Sequence, residues 1–205
     1  MNPLKNLYKW VLSWAESVYG TLILFLVAFA ESSFFPVPAD PLLMALCLGK
    51  VKRSMYYVFI CTLGSVLGGI FGFIIGYFLW YTPSGELTGI ANFFFRVIPG
   101  FTPVVFDNVG AQYDAYNFWV IFTAAFTPIP YKVFSITAGV FQIDLPTFII
   151  ASVLGRGGRF LIIGLLIHFF GKPIKVMMDK HFNTFIIVLT IIFALSYVLI
   201  GYLFQ

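Results

Sequence analysis

The stretch Glu31-Ser-Ser-Phe-Phe-Pro-Val-Pro-Ala-Asp-Pro41 interrupts one of the most apolar parts of this chain with two carboxylates and three prolines. A helix that crosses a membrane needs ~20 consecutive apolar residues. After Pro41 the apolar residues end at the basic segment Gly49–Arg53, so the second limb is too short to cross. The stretch therefore predicts a re-entrant hairpin, with helix breaks at Pro36 and Pro38, that enters and leaves the membrane on one side.

The composition is that of a membrane protein. Of the 205 residues, 60% are hydrophobic and 10% are charged, whereas ~25% are charged in a soluble domain. The mean hydropathy is +0.97, and apolar runs fill the chain, which predicts an all-α polytopic membrane protein with no soluble domain. In such a protein the formal charge of +4 indicates topology and contact with lipid headgroups. We expect no nucleic-acid partner.

The hydrophobic pattern divides residues 1–205, taken as a single membrane domain, into five segments. In chain order these are an amphipathic interfacial helix at 1–18, a hairpin plus a span at 19–80, an extracytoplasmic loop with an interfacial helix at 81–115, a second hairpin plus a span at 116–170, and a last span at 182–204. A charged tail without regular structure is the alternative for 1–18. Glycines recur along the first span and predict a face for close helix packing; they are Gly64, Gly68, Gly69, Gly72 and Gly76.

The break at Pro36-Val-Pro38 recurs later in the chain. At an offset of 92 residues (128 minus 36) it aligns with Pro128-Ile-Pro130, and Asp40 then aligns with Lys132. The span that follows each hairpin matches as well once one residue is deleted. These matches predict an internal duplication of hairpin plus span.

The basic residues predict the orientation. Residues 1–18 and 49–53 hold five of them, and Lys172, Lys175 and Lys180 add three, so eight of the twelve lie on one face. The positive-inside rule makes that face cytoplasmic. The N-terminus is then cytoplasmic, the C-terminus outside, and the two hairpins enter from opposite sides in an inverted repeat.

Ionisable side chains cluster near the two breaks at membrane depth, where an unpaired charge is costly. They are Glu31, Asp40, Lys132, Arg156 and Arg159. In the functional interpretation, the three basic residues and the half-helix N-termini bind an anionic headgroup such as a phosphate. The two carboxylates carry protons or couple charge.

Structural alternatives stay open for the same side chains. Asp40 can cap the helix that begins at Pro41. Lys132 can extend to the membrane interface. The two arginines can simply neutralise the two acids, which would hold the two hairpins together.

Signs of an enzyme are missing from the sequence. Ser65 lies in Gly64-Ser-Val-Leu-Gly68 rather than in a G-x-S-x-G elbow. Neither His168 nor His181 has the neighbours of a catalytic or metal site, and two cysteines in apolar surroundings are typical of free thiols. We expect no enzymatic activity, no metal and no cofactor.

These motifs resemble the DedA family of bacterial membrane proteins, also called the VTT or SNARE-associated domain family, and most closely its YqaA-like branch. The similarity covers about residues 20–170. It rests on Glu31–Asp40, on Phe126-Thr-Pro-Ile-Pro-Tyr-Lys132 followed by Ala138-Gly139, and on Gly155-Arg-Gly-Gly-Arg159.

The resemblance implies two opposed re-entrant hairpins in the bacterial inner membrane and the translocation of a lipid, such as undecaprenyl phosphate or phosphatidylethanolamine, by a flippase or scramblase. It also implies that Glu31 and Asp40 are the family's essential acidic pair. The family's second motif has an arginine where this chain has Ala125, and Lys132 is the nearest basic residue to its second arginine. Arg156 or Arg159 can compensate.

Two other functions are consistent with the same charges. One is a small-ion or anion transporter that supports the membrane potential. The other is a membrane assembly factor that transports nothing, in which the charges only link the hairpins. The sequence also leaves open whether the chain forms a homo-oligomer.

Overall fold

The computed structural model describes residues 19–34, 38–97, 102–127, 130–171 and 173, and helices dominate these ranges. The helices are α1 (Gly20–Ser33), α2 (Asp40–Gly49), α3 (Ser54–Leu79, preceded by a 3-10 turn at Val51–Arg53), α4 (Gly89–Val97), α5 (Pro103–Phe126), α6 (Tyr131–Val140) and α7 (Leu145–Gly171). The predicted interfacial helix at 1–18, the final span at 182–204 and the prolines at 36 and 128 lie outside the described residues.

Within the described ranges, two helical segments are long and apolar enough to cross a membrane. They are Val51–Leu79, with 29 residues, and Leu145–Gly171, with 27. At ~1.5 Å per residue each is about 40 Å long, which exceeds the ~30 Å of a hydrocarbon core. They coincide with the two full spans expected at the ends of segments 19–80 and 116–170.

The limbs of the first hairpin are both shorter than a membrane is thick. Helix α1 has 14 residues and α2 has 10, so they extend about 21 Å and 15 Å. The apolar residues 19–35 before the first break predict a limb about long enough to cross, but α1 ends at Ser33. Proline disfavours helical backbone at the residue before it, and two prolines follow within five residues.

Helix α5 begins earlier than the sequence analysis placed it. Residues 103–115 were assigned to a loop, yet they form the first half of a helix whose only non-helical residue is Tyr116. Thr102 caps this helix, because its hydroxyl accepts a hydrogen bond from the Val105 N–H at 3.2 Å, and Pro103 suits the first turn. The side chains that bury one face of this half, Phe106, Val109 and Tyr113, follow helical spacing.

The order of helices repeats along the chain. A short helix, a ten-residue helix and a long helix follow one another as α1–α2–α3. The same order recurs in the second part of α5 after the kink at Tyr116, then α6 and α7. This order agrees with the predicted duplication. The inverted orientation of the two halves stays a prediction.

The expected glycine face of α3 is confirmed. Helix α3 packs against both α1 and α6. A Cβ atom on Gly64 would lie 2.6 Å from the Phe25 carbonyl oxygen of α1, and one on Gly76 would collide with the Ile136 carbonyl of α6. The backbones of α3, α1 and α6 can therefore approach only where α3 has no side chain.

Buried apolar side chains form two clusters. One surrounds α2 and includes Leu43, Cys61 and Phe160. The other joins α4, α5 and α6 and includes Trp80, Tyr131 and Phe148. The polar residues described next contact members of both clusters.

Candidate functional site

Two ion pairs connect the first half of the chain to the second. The Arg156 Nη2 atom lies 2.8 Å from Glu31 Oε2, and Arg159 Nη2 pairs with Asp40 Oδ2. Glu31 is in the last turn of α1 and Asp40 is the first residue of α2, so both acids flank the first break. The arginines lie one turn apart on α7. We call these four residues the charged centre.

Arg156 is the most enclosed member of the charged centre, with 1% of its surface exposed. Its Nε atom donates to Ser65 Oγ at 2.5 Å, and Nη2 donates to Ser32 Oγ at 3.2 Å as well as to Glu31. The two hydroxyls also share a hydrogen bond of 2.7 Å. Residues from α1 and α3 therefore hold the guanidinium by its edge.

Two aromatic rings contact the same guanidinium. Its central carbon lies 5.2 Å from the centroid of the Tyr131 ring and 4.9 Å from that of Phe160, distances at which a cation is attracted to the ring. Tyr131 is itself positioned by a 2.5 Å hydrogen bond to Ser152 Oγ. Because Phe160 and Tyr131 belong to different apolar clusters, Arg156 connects the two.

Glu31 also connects the two limbs of the first hairpin. Its Oε2 atom accepts a hydrogen bond from the Ala39 N–H at 3.3 Å, and Ala39 is the N-cap residue of α2. The alternative in which Asp40 caps this helix is therefore wrong. The N-cap residue is Ala39, which makes no side-chain cap hydrogen bond, and the carboxylate of Asp40 pairs with Arg159 instead.

Arg159 links the two breaks. Its Nη1 atom donates to the Thr127 carbonyl at 2.7 Å, at the C-terminal end of α5, while Nη2 pairs with Asp40 beside the first break. This pair is less enclosed than Arg156, with 14% of the Arg159 side chain and 12% of the Asp40 side chain exposed. Asp40 Oδ1 is buried and has no hydrogen-bond partner among the described residues.

Lys132 lies in the first turn of α6 and is 6% exposed. It interacts electrostatically with Glu31. A lysine that extended its ammonium to the membrane interface would be exposed, so the structure contradicts that alternative. The next turn of α6 contacts α1, because the Ser135 hydroxyl donates to the Ser32 carbonyl at 3.2 Å.

The predicted site residues thus meet where they can be described. Pro38 precedes the N-cap residue of α2 and Pro130 is the N-cap residue of α6, whereas Pro36 and Pro128 lie outside the described residues. Sequence reasoning missed Ser65 as a partner of Arg156, although its place on the glycine face of α3 was a signal. Within the described ranges no group of three or more His, Cys, Asp or Glu side chains could hold a metal ion.

Comparison with known proteins identifies the family. The model of the VTT domain matches residues 35–169, which include every member of the charged centre except Glu31. A Haemophilus influenzae protein described as uncharacterized is 27% identical over 85% of this chain and 86% of its own.

A second relative, from Histophilus somni and described as the uncharacterized protein HI0703 homolog, is 31% identical over 82% of each chain. No solved structure matches. These relatives do not distinguish branches of the family, so the YqaA-like branch stays a prediction. The family match and the two long apolar helices are those of a membrane protein, and the chain belongs to the VTT domain family, the DedA family that its motifs resemble.

Proposed function

We propose that this protein moves a phospholipid or a polyprenyl-phosphate carrier across the bacterial inner membrane, as a flippase or scramblase. The observation that carries the proposal is the charged centre. Four ionisable side chains from the first and second halves of the chain meet beside two interruptions of apolar helices. Buried ion pairs contribute little net stability, so a purely structural purpose does not explain why they occur at both breaks.

The balance of charge favours an anionic headgroup. Lys132, Arg156 and Arg159 contribute three positive charges, and Glu31 and Asp40 contribute two negative charges, which leaves one positive charge. A phosphate group can make two parallel hydrogen bonds with a guanidinium. The centre can therefore stabilise a phosphate at a depth where an uncompensated anion would be costly.

The surroundings of the centre favour a lipid over a free ion. A lipid needs a polar site for its headgroup and an apolar surface for its acyl chains, whereas a free ion needs only the polar site. Large apolar side chains are exposed along both long helices, among them Leu63, Phe71, Ile150 and Leu161. Such a surface is suited to hydrocarbon.

Protons are the coupling ion that this proposal includes. A proton on Asp40 would neutralise the carboxylate and release Arg159 for the headgroup, and a proton on Glu31 would change the charge beside it. In this scheme the protein is not an enzyme and needs no cofactor. It is polytopic, with inverted halves, a cytoplasmic N-terminus and an external C-terminus.

The test is headgroup translocation of fluorescently labelled lipids in proteoliposomes. Wild type is compared with Glu31→Gln and Asp40→Asn, with and without a pH gradient, and Glu86→Gln is the matched control because Glu86 is exposed and lies outside the charged centre. We expect folded variants of the centre to lose flux, the control to keep it, and a gradient to change the rate. Absence of flux from folded wild type with anionic and zwitterionic lipids would contradict the proposal.

One observation favours the assembly factor as a second candidate function. Arg156 is 1% exposed and contacts Glu31, Ser32, Ser65 and two aromatic rings, as expected of a permanent link between the two halves of the chain. If Glu31→Gln and Asp40→Asn fail to fold while wild type moves no lipid or ion, the centre is a structural link. Flux of a small anion without flux of lipid would instead favour the ion transporter.

A further inference from the structure

We infer that the two ion pairs have different tasks: Arg156–Glu31 is a permanent clamp, whereas Arg159 binds the phosphate group and Asp40 is the internal anion that the phosphate displaces. The inference deepens the proposed function and rests on it in taking a lipid headgroup as the source of that phosphate. It separates two arginines that sequence reasoning treated as equivalent.

Arg156 has no room for a ligand. It is 1% exposed, the rings of Tyr131 and Phe160 lie close to its guanidinium, and its N–H groups contact Ser32, Ser65 and Glu31. A phosphate could reach it only if α1, α3 and α7 separated. The Glu31 side chain is 19% exposed, but its Oε2 atom accepts hydrogen bonds from both Arg156 and the Ala39 N–H.

Arg159 has one fixed partner, the Thr127 carbonyl, and one partner that a ligand could replace, Asp40. The Thr127 carbonyl is a neutral acceptor that anchors Nη1 at 2.7 Å, so the guanidinium keeps its position when Asp40 leaves. Arginine has five N–H donors, and Thr127 and Asp40 are the hydrogen-bond partners that Arg159 has among the described residues. Donors therefore stay available for a second oxygen, which suits the two-point binding of phosphate.

Of the two acids, Asp40 accepts fewer hydrogen bonds from the described residues. One of its carboxylate oxygens, Oδ1, is buried with no hydrogen-bond partner in the described part of the chain, which makes its bound state costly. The arginine that Asp40 pairs with is also the more exposed one, with 14% of the Arg159 side chain exposed and 1% of the Arg156 side chain. Displacement of Asp40 by a phosphate would replace an incompletely bonded anion with one that brings more acceptor oxygens.

This assignment predicts the sign of a mutational effect. If Asp40 competes with phosphate for Arg159, its neutralisation strengthens anion binding. If Asp40 holds Arg159 in place or contacts the headgroup, neutralisation weakens binding or leaves it unchanged. The removal of one charged hydrogen-bond competitor corresponds to about a tenfold gain in affinity.

The experiment is calorimetric titration of the purified full-length protein in micelles of an uncharged detergent. The two titrants are inorganic phosphate and a short-chain phosphatidic acid. We expect Asp40→Asn to bind at least one of them about tenfold more tightly than wild type, and Arg159→Gln to lose binding. Glu86→Gln and Arg96→Gln change the same charges at exposed positions outside the centre and should bind as wild type does.

The outcomes separate the sources of the anion. Tighter binding of the lipid alone identifies a headgroup, and tighter binding of both titrants shows that free phosphate also enters. Unchanged or weaker binding by folded Asp40→Asn would overturn the inference. So would an Asp40→Asn protein that does not fold while Arg156→Lys does, because Asp40 would then belong to the clamp.

Failure of the inference is distinguishable from failure of the proposed function. Wild type that translocates lipid, with an Asp40→Asn variant that shows no gain in affinity, overturns the division of tasks alone. Tighter phosphate binding in a protein that translocates no lipid supports the assignment of Arg159 and contradicts lipid transport.

Discussion

At the scale of single residues, the chemistry of this protein depends on how each charge is surrounded. Arg156 is almost completely buried and lies close to two aromatic rings. Arg159, three residues later, is bound by one carbonyl and one carboxylate. Their positions in the sequence differ by less than one helical turn. The difference arises because α7 directs Arg156 toward α1 and α3, and Arg159 toward the two breaks.

Replacement of Arg156 by lysine should destabilise the protein by about 3 kcal/mol, because lysine lacks the planar fork and cannot keep the hydrogen bonds that the buried guanidinium makes to Glu31, Ser32 and Ser65. Arg159→Lys should cost clearly less, since 14% of the Arg159 side chain is exposed and only 1% of the Arg156 side chain. Thermal unfolding of both variants in detergent measures the difference. Equal losses of stability would show that the two pairs are equally structural.

Tyr131 offers a milder change at the same site. Tyr131→Phe removes the hydroxyl that bonds Ser152 but keeps the ring beneath Arg156, so we expect a loss of about 1 kcal/mol and retained lipid flux. Tyr131→Ala removes the ring as well and should cost several times more. If the two variants are equally stable, the ring does not support the guanidinium.

At the scale of helices, the breaks and the close contacts decide what can be placed at the centre of the molecule. Helices α1, α2 and α6 are too short to cross a membrane. The last turn of α1 and the first turns of α2 and α6 lie at the charged centre. Helix α3 brings α1 and α6 together through positions without side chains. The backbone geometry that positions Ser32, Ser65 and Ser135 therefore depends on glycine.

Gly76→Ala should destabilise the bundle by 1–3 kcal/mol, roughly the cost of overpacking a core, because a Cβ there collides with the Ile136 carbonyl. Gly158→Ala is the matched control. It lies in the interior of α7, and its nearest neighbour would be Phe126 Cε2 at 3.5 Å, an ordinary contact. We expect the control to be neutral or stabilising in thermal unfolding, because alanine favours helix; a destabilised control would contradict this account.

The start of α7 contains a cap that responds to pH. Asp144 Oδ2 accepts hydrogen bonds from the Thr147 N–H at 3.0 Å and from its hydroxyl at 2.8 Å. The Thr147 hydroxyl and backbone N–H lower the pKa of Asp144 below its ordinary value of 3.8. A lowered pKa in the folded state contributes stability above the unfolded pKa, and that stability is lost as the pH falls through the folded pKa.

Asp144→Ala should therefore be less stable than wild type at neutral pH, because the cap is lost. The difference should shrink as the pH falls below 3.8 and the carboxylate is protonated. Unfolding temperatures of both proteins measured from pH 7 to pH 3 check this. A difference that stays constant over that range would contradict the role of the charge.

At the scale of the whole molecule, the charged centre couples residues that are far apart in sequence. Glu31 and Arg156 are separated by 125 positions, and Asp40 and Arg159 by 119. The first member of each pair lies in the first half of the chain and the second member in the second half. The pairs therefore oppose any separation of the halves, and movement between the halves would have to open at least one of them.

A double-mutant cycle of Glu31→Gln and Arg156→Gln should show this coupling. Because Glu31→Gln removes the ion-pair partner of a buried arginine and Arg156→Gln removes the partner of Glu31, we expect the effects on the free energy of unfolding to be non-additive by about 2 kcal/mol. Glu86→Gln combined with Arg156→Gln is the control and should be additive. An additive result for the first pair would mean that the two halves are held together elsewhere.

Local spacing was sufficient for much of the fold. The apolar runs that became α3 and α7, the two limbs on either side of the first break and the glycine face of α3 all follow from periodicity and from the positions of proline. Both signals act over a few residues. The loop assigned to residues 103–115 could also have been recognised as helix from Thr102-Pro103 and the apolar side chains that follow. The polar residues in the first half of this partly exposed helix concealed its helical pattern.

The sequence by itself determined that this protein is helical and apolar, where its helices break, and which five ionisable side chains occur beside the breaks. Only the tertiary structure decided that Arg156 pairs with Glu31 and Arg159 with Asp40, that Glu31 rather than Asp40 reaches the start of α2, and that Ser65 holds an arginine. The physical reason is distance along the chain. Helix breaks depend on neighbouring residues, whereas these partners are as many as 125 positions apart and meet only because α1, α3 and α7 pack side by side.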